Sequence, residues 1–240
     1  WSSDVCSSDL QALSWENFSR WWSQPHLHNY APLHLTLLAM VHAVAGLNPW
    51  AFHLAQLALH ALCVCLVYQL VERMERARVA LLAAMFFVAH AANVETVAWV
   101  SETKSTLALA LFLLSFHCFI RYRQRGAPLD AGLSAALLAA SLLAKISTVV
   151  APAVFLAYDL REPDALQWRK LRGLLPAVLI AGAFAALHLT LSEPMQSAAP
   201  ERLRDAALVS VPLSEGAGRY FGGVGIHLLN MPGLLLHYVQ

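Results

Sequence analysis

The chain has 240 residues, of which 58% are hydrophobic and 13% charged, with a net charge of +1 and a mean hydropathy of +0.55. A soluble domain carries about a quarter charged residues, so an ordinary water-soluble fold is excluded. The charge balance also excludes a basic surface for nucleic acid, and apolar stretches separated by basic clusters define an all-α, polytopic helical membrane bundle.

The first ten residues, WSSDVCSSDL, show no apolar period. Asp4 and Asp9 would read as candidate carboxylates, but the string matches the translation of a short-read sequencing adapter. Segment 1–10 is therefore expected to be non-native, and 11–240 a partial membrane domain. SWENFSRWW (14–22) predicts a short amphipathic helix N-capped by Ser14, with tryptophans suited to a membrane interface. The stretch APLHLTLLAMVHAVAGL (31–47) is short and carries His34 and His42. It is expected to lie on the outer face as an interfacial or re-entrant helix, which makes 11–47 an external juxtamembrane layer.

Further apolar stretches cover 52–71, 79–100, 105–120, 131–160, 174–191 and 217–238. Since a span needs about 20 residues, several are short or broken. Arg73, Arg76 and Arg78 form one basic cluster, Arg121, Arg123 and Arg125 a second, and Arg161, Arg169, Lys170 and Arg172 a third. Short loops rich in Arg and Lys stay cytoplasmic. Placing all three inside makes 52–71 run inward, 79–91 outward and 105–120 inward. The pair 131–144 and 148–160 goes out and back, 174–191 goes outward, and 192–216 is an external loop of the 52–240 bundle.

Cys63, Cys65 and Cys118 lie in apolar segments, where a free thiol acts as a small hydrophobe. Cys63 and Cys65 point to different helix faces, so neither a disulfide framework nor a metal-thiolate site is expected. His53 and His60 share one helix face, and His117 and His188 sit in apolar segments as expected interhelical hydrogen-bonding groups. His26, His28 and His34 lack the HxxxH or HExxH spacing of a metal site. Gly218 and Gly222 suit close helix packing.

The charges away from the arginine clusters are few. Glu95, Glu102, Lys104 and Lys145 fall where helices turn at the outer side, Arg219 begins the last apolar segment there, and His90 and Asn93 share one turn. Charged groups at membrane depth are costly and tend to face a cavity or a partner. An outer-face cavity with these residues suits an anionic lipid-linked substrate. Its cations would hold phosphate, and a carboxylate could accept a proton or bind a divalent metal. The alternative is a rim whose charges simply pair with one another. Lys145, alone among apolar residues in SLLAKISTVV, is expected to face a cavity.

Four stretches in register carry a resemblance: NYAPLHLTLLAMVHAVAGLNPWAFHLAQLALHAL (29–62), HAANVETVAWVSETKSTL (90–107), LLAKISTVVAPAVFLAYDL (142–160) and GRYFGGVGIHLLNMPGLLLHY (218–238). Together they resemble the membrane module of the tetratricopeptide-repeat-containing O-mannosyltransferase-like family, of the GT-C class, over about residues 13–238. The resemblance implies inverting transfer of a sugar from a polyprenyl-phosphate donor to a protein or envelope-glycan acceptor at the non-cytoplasmic face. It names no certain cofactor and leaves a divalent metal open. In the family's outer motif His90, Glu95, Val97, Trp99, Glu102 and Lys104 match, whereas Ala91, Asn93, Thr103 and Ser105 replace a proline, a histidine, an arginine and an aspartate. Lys145 matches a family lysine and is expected to contact the donor phosphate. The family's acidic catalytic loop would precede residue 11, so the catalytic base is expected to be missing and the chain to be cut at both ends.

Three functions compete: a glycosyltransferase in a bacterial inner membrane with a periplasmic site, a non-catalytic scaffold preceding repeats, and a transporter or flippase of lipid-linked sugars. Charges at the rim rather than at the bilayer midplane favour the transferase.

Overall fold

The computed structural model describes residues 14–23, 30–161 and 168–197. Backbone contacts divide the chain after Met195, so the bundle described here belongs to the first unit except for the last two residues of its final helix. Among the described residues all regular structure is helical. The elements are α1 (Trp15–Ser23), α2 (Pro32–Ala45), α3 (Pro49–Met74), α4 (Ala77–Ala89), α5 (Ala92–Ala98), a 3₁₀ turn (Val100–Glu102), α6 (Thr103–Arg125), α7 (Pro128–Ala144), a second 3₁₀ turn (Ile146–Val150), α8 (Ala151–Asp159) and α9 (Trp168–Ser197).

The ends of these helices follow from local chemistry. Ser14 Oγ accepts the Asn17 amide at 3.2 Å, which starts α1 as the sequence predicts. Asn48 Oδ1 accepts the Trp50 amide at 3.1 Å and Pro49 opens α3. Gly46 and Gly126 stop α2 and α6 with φ of 60° and 69°, conformations that any side chain would resist. Pro128 then restarts the chain as α7.

Three stretches are long and apolar enough to cross a membrane: Pro49–Met74, Val100–Arg125 and Leu171–Thr190. The pair α4 and α5 would make a fourth, bent by 65°. The bend has a local cause. The Asn93 side-chain amide donates to the Phe87 carbonyl, and His90 Nδ1 accepts the Ala92 amide at 3.2 Å, so side chains take over helix bonds. α7 with 17 residues and the turn plus α8 over Ile146–Asp159 are shorter apolar helices. They are separated at Lys145, where the β-branched run ISTVV tightens into 3₁₀ geometry. α2, at 14 residues, is also too short for a hydrocarbon layer of about 30 Å. α9 continues to Ser197, six residues into the segment expected to be a loop.

Packing is densest between α6 and α7, where the contact surface is small and polar. Ser115 Oγ donates to the Ser134 carbonyl at 2.7 Å, and Ser141 Oγ donates to the Ala108 carbonyl at 2.7 Å. Both Ser115 and Ser141 are fully buried. Small residues let membrane helices approach closely, and hydroxyls bonded to a neighbour's backbone hold the register. Phe116, Phe119, Ile120, Leu138, Leu142, Phe155 and Leu174 fill the core shared by α6 to α9, with Phe119 and Phe155 rings 4.4 Å apart. Cys63 and Leu66 pack against Ala110 and Leu113 between α3 and α6, while Cys65 is exposed, as two positions on different helix faces must be. Elsewhere large apolar side chains face outward: Leu81, Leu82, Met85 and Phe86 on α4, and Val178, Leu179 and Leu189 on α9. An apolar exterior around a bundle tied by buried hydroxyls is what a lipid solvent selects.

Candidate functional site at the lysine rim

The helix breaks place their charged residues at one end of the bundle. Glu102 closes the first 3₁₀ turn, Lys104 and Ser105 open α6, and Lys145 ends α7. Lys145 Nζ lies 2.6 Å from Ser105 Oγ and 3.4 Å from Glu102 Oε2. Lys104 Nζ lies 3.7 Å from Glu102 Oε1, and Ser105 Oγ donates to Glu102 Oε2. One carboxylate thus serves two ammonium groups, and the cluster keeps one positive charge in excess. The Glu102, Lys104 and Lys145 side chains are each about one-quarter to one-third exposed, so the cluster is screened from the core yet reachable.

Two groups behind the rim carry no charge. His34, on the buried face of α2, is 6% exposed, and its Nδ1 has no hydrogen-bond partner among the described residues. Burial, aided by the Lys104 charge and opposed by Glu102, lowers its pKa from 6.5 to about 4, so it stays neutral at ordinary pH. Gln56 of α3 is fully buried, and its Nε2 donates to the Thr96 carbonyl at 2.6 Å and to Thr106 Oγ1 at 2.7 Å. Neither residue stood out as functional in the sequence. His34 looked like one more helix histidine, and an isolated Gln in an apolar stretch gives no spacing signal.

The sequence-predicted residues separate accordingly. Glu102, Lys104 and Lys145 come together. His90 is exposed at the α4–α5 bend, where its ring meets the edge of Phe86 at 5.2 Å and its Nδ1 is engaged by the Ala92 amide. Glu95 lies on α5 with its side chain outside the described residues, and Arg219, the 215–225 glycine run, His26, His28 and residues 1–10 also lie outside them. Among the described residues no three His, Cys, Asp or Glu side chains group as metal ligands would.

One expectation is corrected. The bond His117 makes is not interhelical: its Nδ1 sits 2.8 Å from the Leu113 carbonyl of its own helix, because α6 offers a carbonyl one turn back and Nε2 meets no partner among the described residues. His60 contacts a neighbouring helix through its ring, stacked on Phe87 at 5.5 Å, rather than through a hydrogen bond.

The arginines occupy the opposite end. Arg121 pairs with Asp130 at 2.7 Å, Arg123 with Asp159 at 2.5 Å and Arg161 with Glu75 at 3.7 Å. These pairs join the end of α6 to the start of α7 and to the end of α8, and the residue positions just past α8 and α3 to each other. The Arg123 guanidinium lies 4.7 Å over the Phe119 ring, and a Cβ on Gly173 would come within 2.5 Å of its Nη1, so a larger residue there would have to displace the end of the arginine side chain. A small apolar cleft at this end is lined by Phe119, Tyr122, Ala135, Leu138 and Pro176, away from the lysine rim.

An all-α bundle with membrane-spanning helices, arginines at one end and a lysine-rich carboxylate cluster at the other is an integral membrane protein. Residues 28–190 match the family model described as dolichyl-phosphate-mannose-protein mannosyltransferase, and the chain belongs to that family. It is similar to Protein O-mannosyl-transferase TMTC2 of Mus musculus, with 28% identity over 207 residues, 74% of this chain and 24% of that protein. The Homo sapiens protein of that name is 27% identical over 203 residues, with the same shares. Protein O-mannosyl-transferase Tmtc2 of Drosophila melanogaster is 32% identical over 121 residues, 48% of this chain and 13% of that protein. The chain therefore spans only 24% of the length of the mammalian relatives. No solved structure matches it.

Proposed function

We propose that the chain is membrane-embedded machinery of a glycosyltransferase that takes a sugar from a polyprenyl-phosphate donor and passes it to a protein or envelope-glycan acceptor. The lysine rim faces the non-cytoplasmic side, and the arginine end faces the cytoplasm, as the distribution of basic loops favours. Residues 11–47 are the external juxtamembrane layer over a bundle that begins near residue 52.

The observation that carries this reading is the sharing of Glu102 by Lys104 and Lys145, which leaves net positive charge at a reachable rim. Two ammonium groups on separate helices suit a phosphate held between them. In the displacement, the acceptor hydroxyl gives its proton to a carboxylate base other than Glu102 as its oxygen bonds the anomeric carbon, and the carbon–oxygen bond to phosphate breaks with inversion. The electron pair leaves with the polyprenyl phosphate, and the lysines offset the charge that gathers there. Glu102, held by two cations and the Ser105 hydroxyl, is a weak base whose role is to place the lysines rather than to take the acceptor's proton.

Lys145→Ala should abolish binding of polyprenyl monophosphate to the purified chain in nanodiscs, while expression and helix content stay unchanged. Undiminished binding by that variant would remove the rim from the donor site.

A further inference from the structure

We propose that Gln56 is a positioning residue for the lysine rim: its buried amide pins both ends of the segment 97–105 that presents Glu102, Lys104 and Ser105. This inference rests on the donor-phosphate reading above for its functional consequence, and on hydrogen-bond geometry for its structural one.

The segment needs such a pin. After Ala98 the chain leaves the helix, with Trp99 extended at φ −97° and ψ 120°. The Thr96 carbonyl therefore lacks the amide that a continuing helix would place four residues on. A carbonyl freed inside an apolar bundle must find another donor. Gln56 Nε2 supplies it at 2.6 Å and, with its other hydrogen, reaches Thr106 Oγ1 at 2.7 Å in the first turn of α6. Because the Thr96 carbonyl can only accept, the amide nitrogen must face it. Gln56 Oε1 is then left buried with no partner among the described residues, so among them the amide is oriented by the two groups it holds.

The same α3 face continues along α6. Cys63, seven positions on, lies 3.6 Å from the Thr106 carbonyl, so α3 meets Thr106 from two successive levels. The opposing contact to Lys145 comes from α7, through Ser105 and Glu102. The segment is therefore clamped between α3 on one side and α7 on the other. With the α3 clamp released, Glu102 and Ser105 can drift, and Lys145 loses its fixed distance from Lys104.

The test uses the full chain in lipid nanodiscs, with hydrogen exchange at amides 97–105 and affinity for polyprenyl monophosphate as readouts. Gln56→Met keeps volume and removes both donors. It should speed exchange across 97–105 by at least about tenfold, leave amides 58–70 of α3 unchanged, and weaken affinity by about tenfold. Thr106→Val should give a smaller shift in the same direction, and Thr106→Ser should restore the wild-type values.

Unchanged exchange at 97–105, acceleration spread evenly over α3 and α6, or a Thr106→Ser variant as impaired as Thr106→Val would each overturn the proposal. So would intact lipid-phosphate affinity in Gln56→Met if Lys145→Ala abolishes it. If Lys145→Ala also binds normally, the donor reading fails instead, and local exchange alone decides whether Gln56 is the clamp. If Gln56→Met does not fold, the two Thr106 variants decide it.

Discussion

Lys145 Nζ and Glu102 Oε2 are 3.4 Å apart although 43 positions separate them in the chain, and Ser105 Oγ bridges the two. The bridge is a hydroxyl, so it satisfies the ammonium without cancelling its charge. That distinction decides the electrostatics of the rim, because an aspartate here would turn a 2.6 Å hydrogen bond into an ion pair and bring the local charge to zero.

Ser105→Asp should therefore weaken binding of polyprenyl monophosphate by about tenfold or more, roughly the effect of one lost charge-assisted contact. Raising salt should narrow the gap, since the site is partly exposed and screened. Equal affinity of the variant and the wild type at low salt would show that net charge at this rim does not govern the anion.

How much of this site could be read from the sequence depends on the range of the interactions. Glu102, Lys104 and Lys145 stand out because charges are rare in an apolar chain, and a charge marks itself whatever it pairs with. Ser14, Pro49 and Gly126 set helix ends through neighbours within four residues, so the elements were legible. Gln56, Ser115, Ser134 and Ser141 were not. Each acts on another helix, and a lone polar residue in a span has no period that names its partner. The arginine clusters were legible as one side of the membrane, but Asp130 and Asp159, which their pairs require, became visible only once α7 and α8 were in place.

At the arginine end the Arg123–Asp159 and Arg121–Asp130 ion pairs differ in the exposure of their arginines, and so should their variants. Asp159 is 4% exposed and its partner Arg123 only 14%, whereas Arg121 facing Asp130 is 41% exposed. Asp159→Asn removes the carboxylate from a pair whose two side chains are both largely buried, and should cost about 3 kcal/mol. Arg121→Gln should cost less than that, because its guanidinium is screened by water, although Asp130 is itself as buried as Asp159. Thermal unfolding in detergent would rank them, and a reversed order would show that burial does not set these energies.

The α6–α7 contact predicts a difference between losing a bond and losing space. Ser141→Ala removes the bond to the Ala108 carbonyl and should cost about 0.6–1 kcal/mol. Ser141→Leu must also push the helices apart at a fully buried position, adding about 1–3 kcal/mol. Chemical denaturation in mixed micelles compares the two. Equal losses would place the whole contribution in the hydroxyl and none in the close approach.

His34 predicts how α2 responds to acid. Its pKa is about 4 in the fold against 6.5 when free, with burial as the main cause, Lys104 adding to it and Glu102 opposing it. Between those values the unfolded chain binds a proton that the folded chain refuses, so stability rises with pH in that window. The contribution is fully present above about pH 6.5 and is lost progressively as pH falls towards 4, by up to about 3 kcal/mol. His34→Leu removes the titration, and Nδ1 has no hydrogen bond to lose among the described residues. Melting temperatures measured from pH 7.5 to 4.5 should therefore fall less steeply for His34→Leu than for the wild type. Parallel profiles would mean that His34 titrates normally and that α2 does not shield it. Acidification should first release α2 from α6 and α7, because a charged imidazole there would face Lys104 with only the shared Glu102 to balance it.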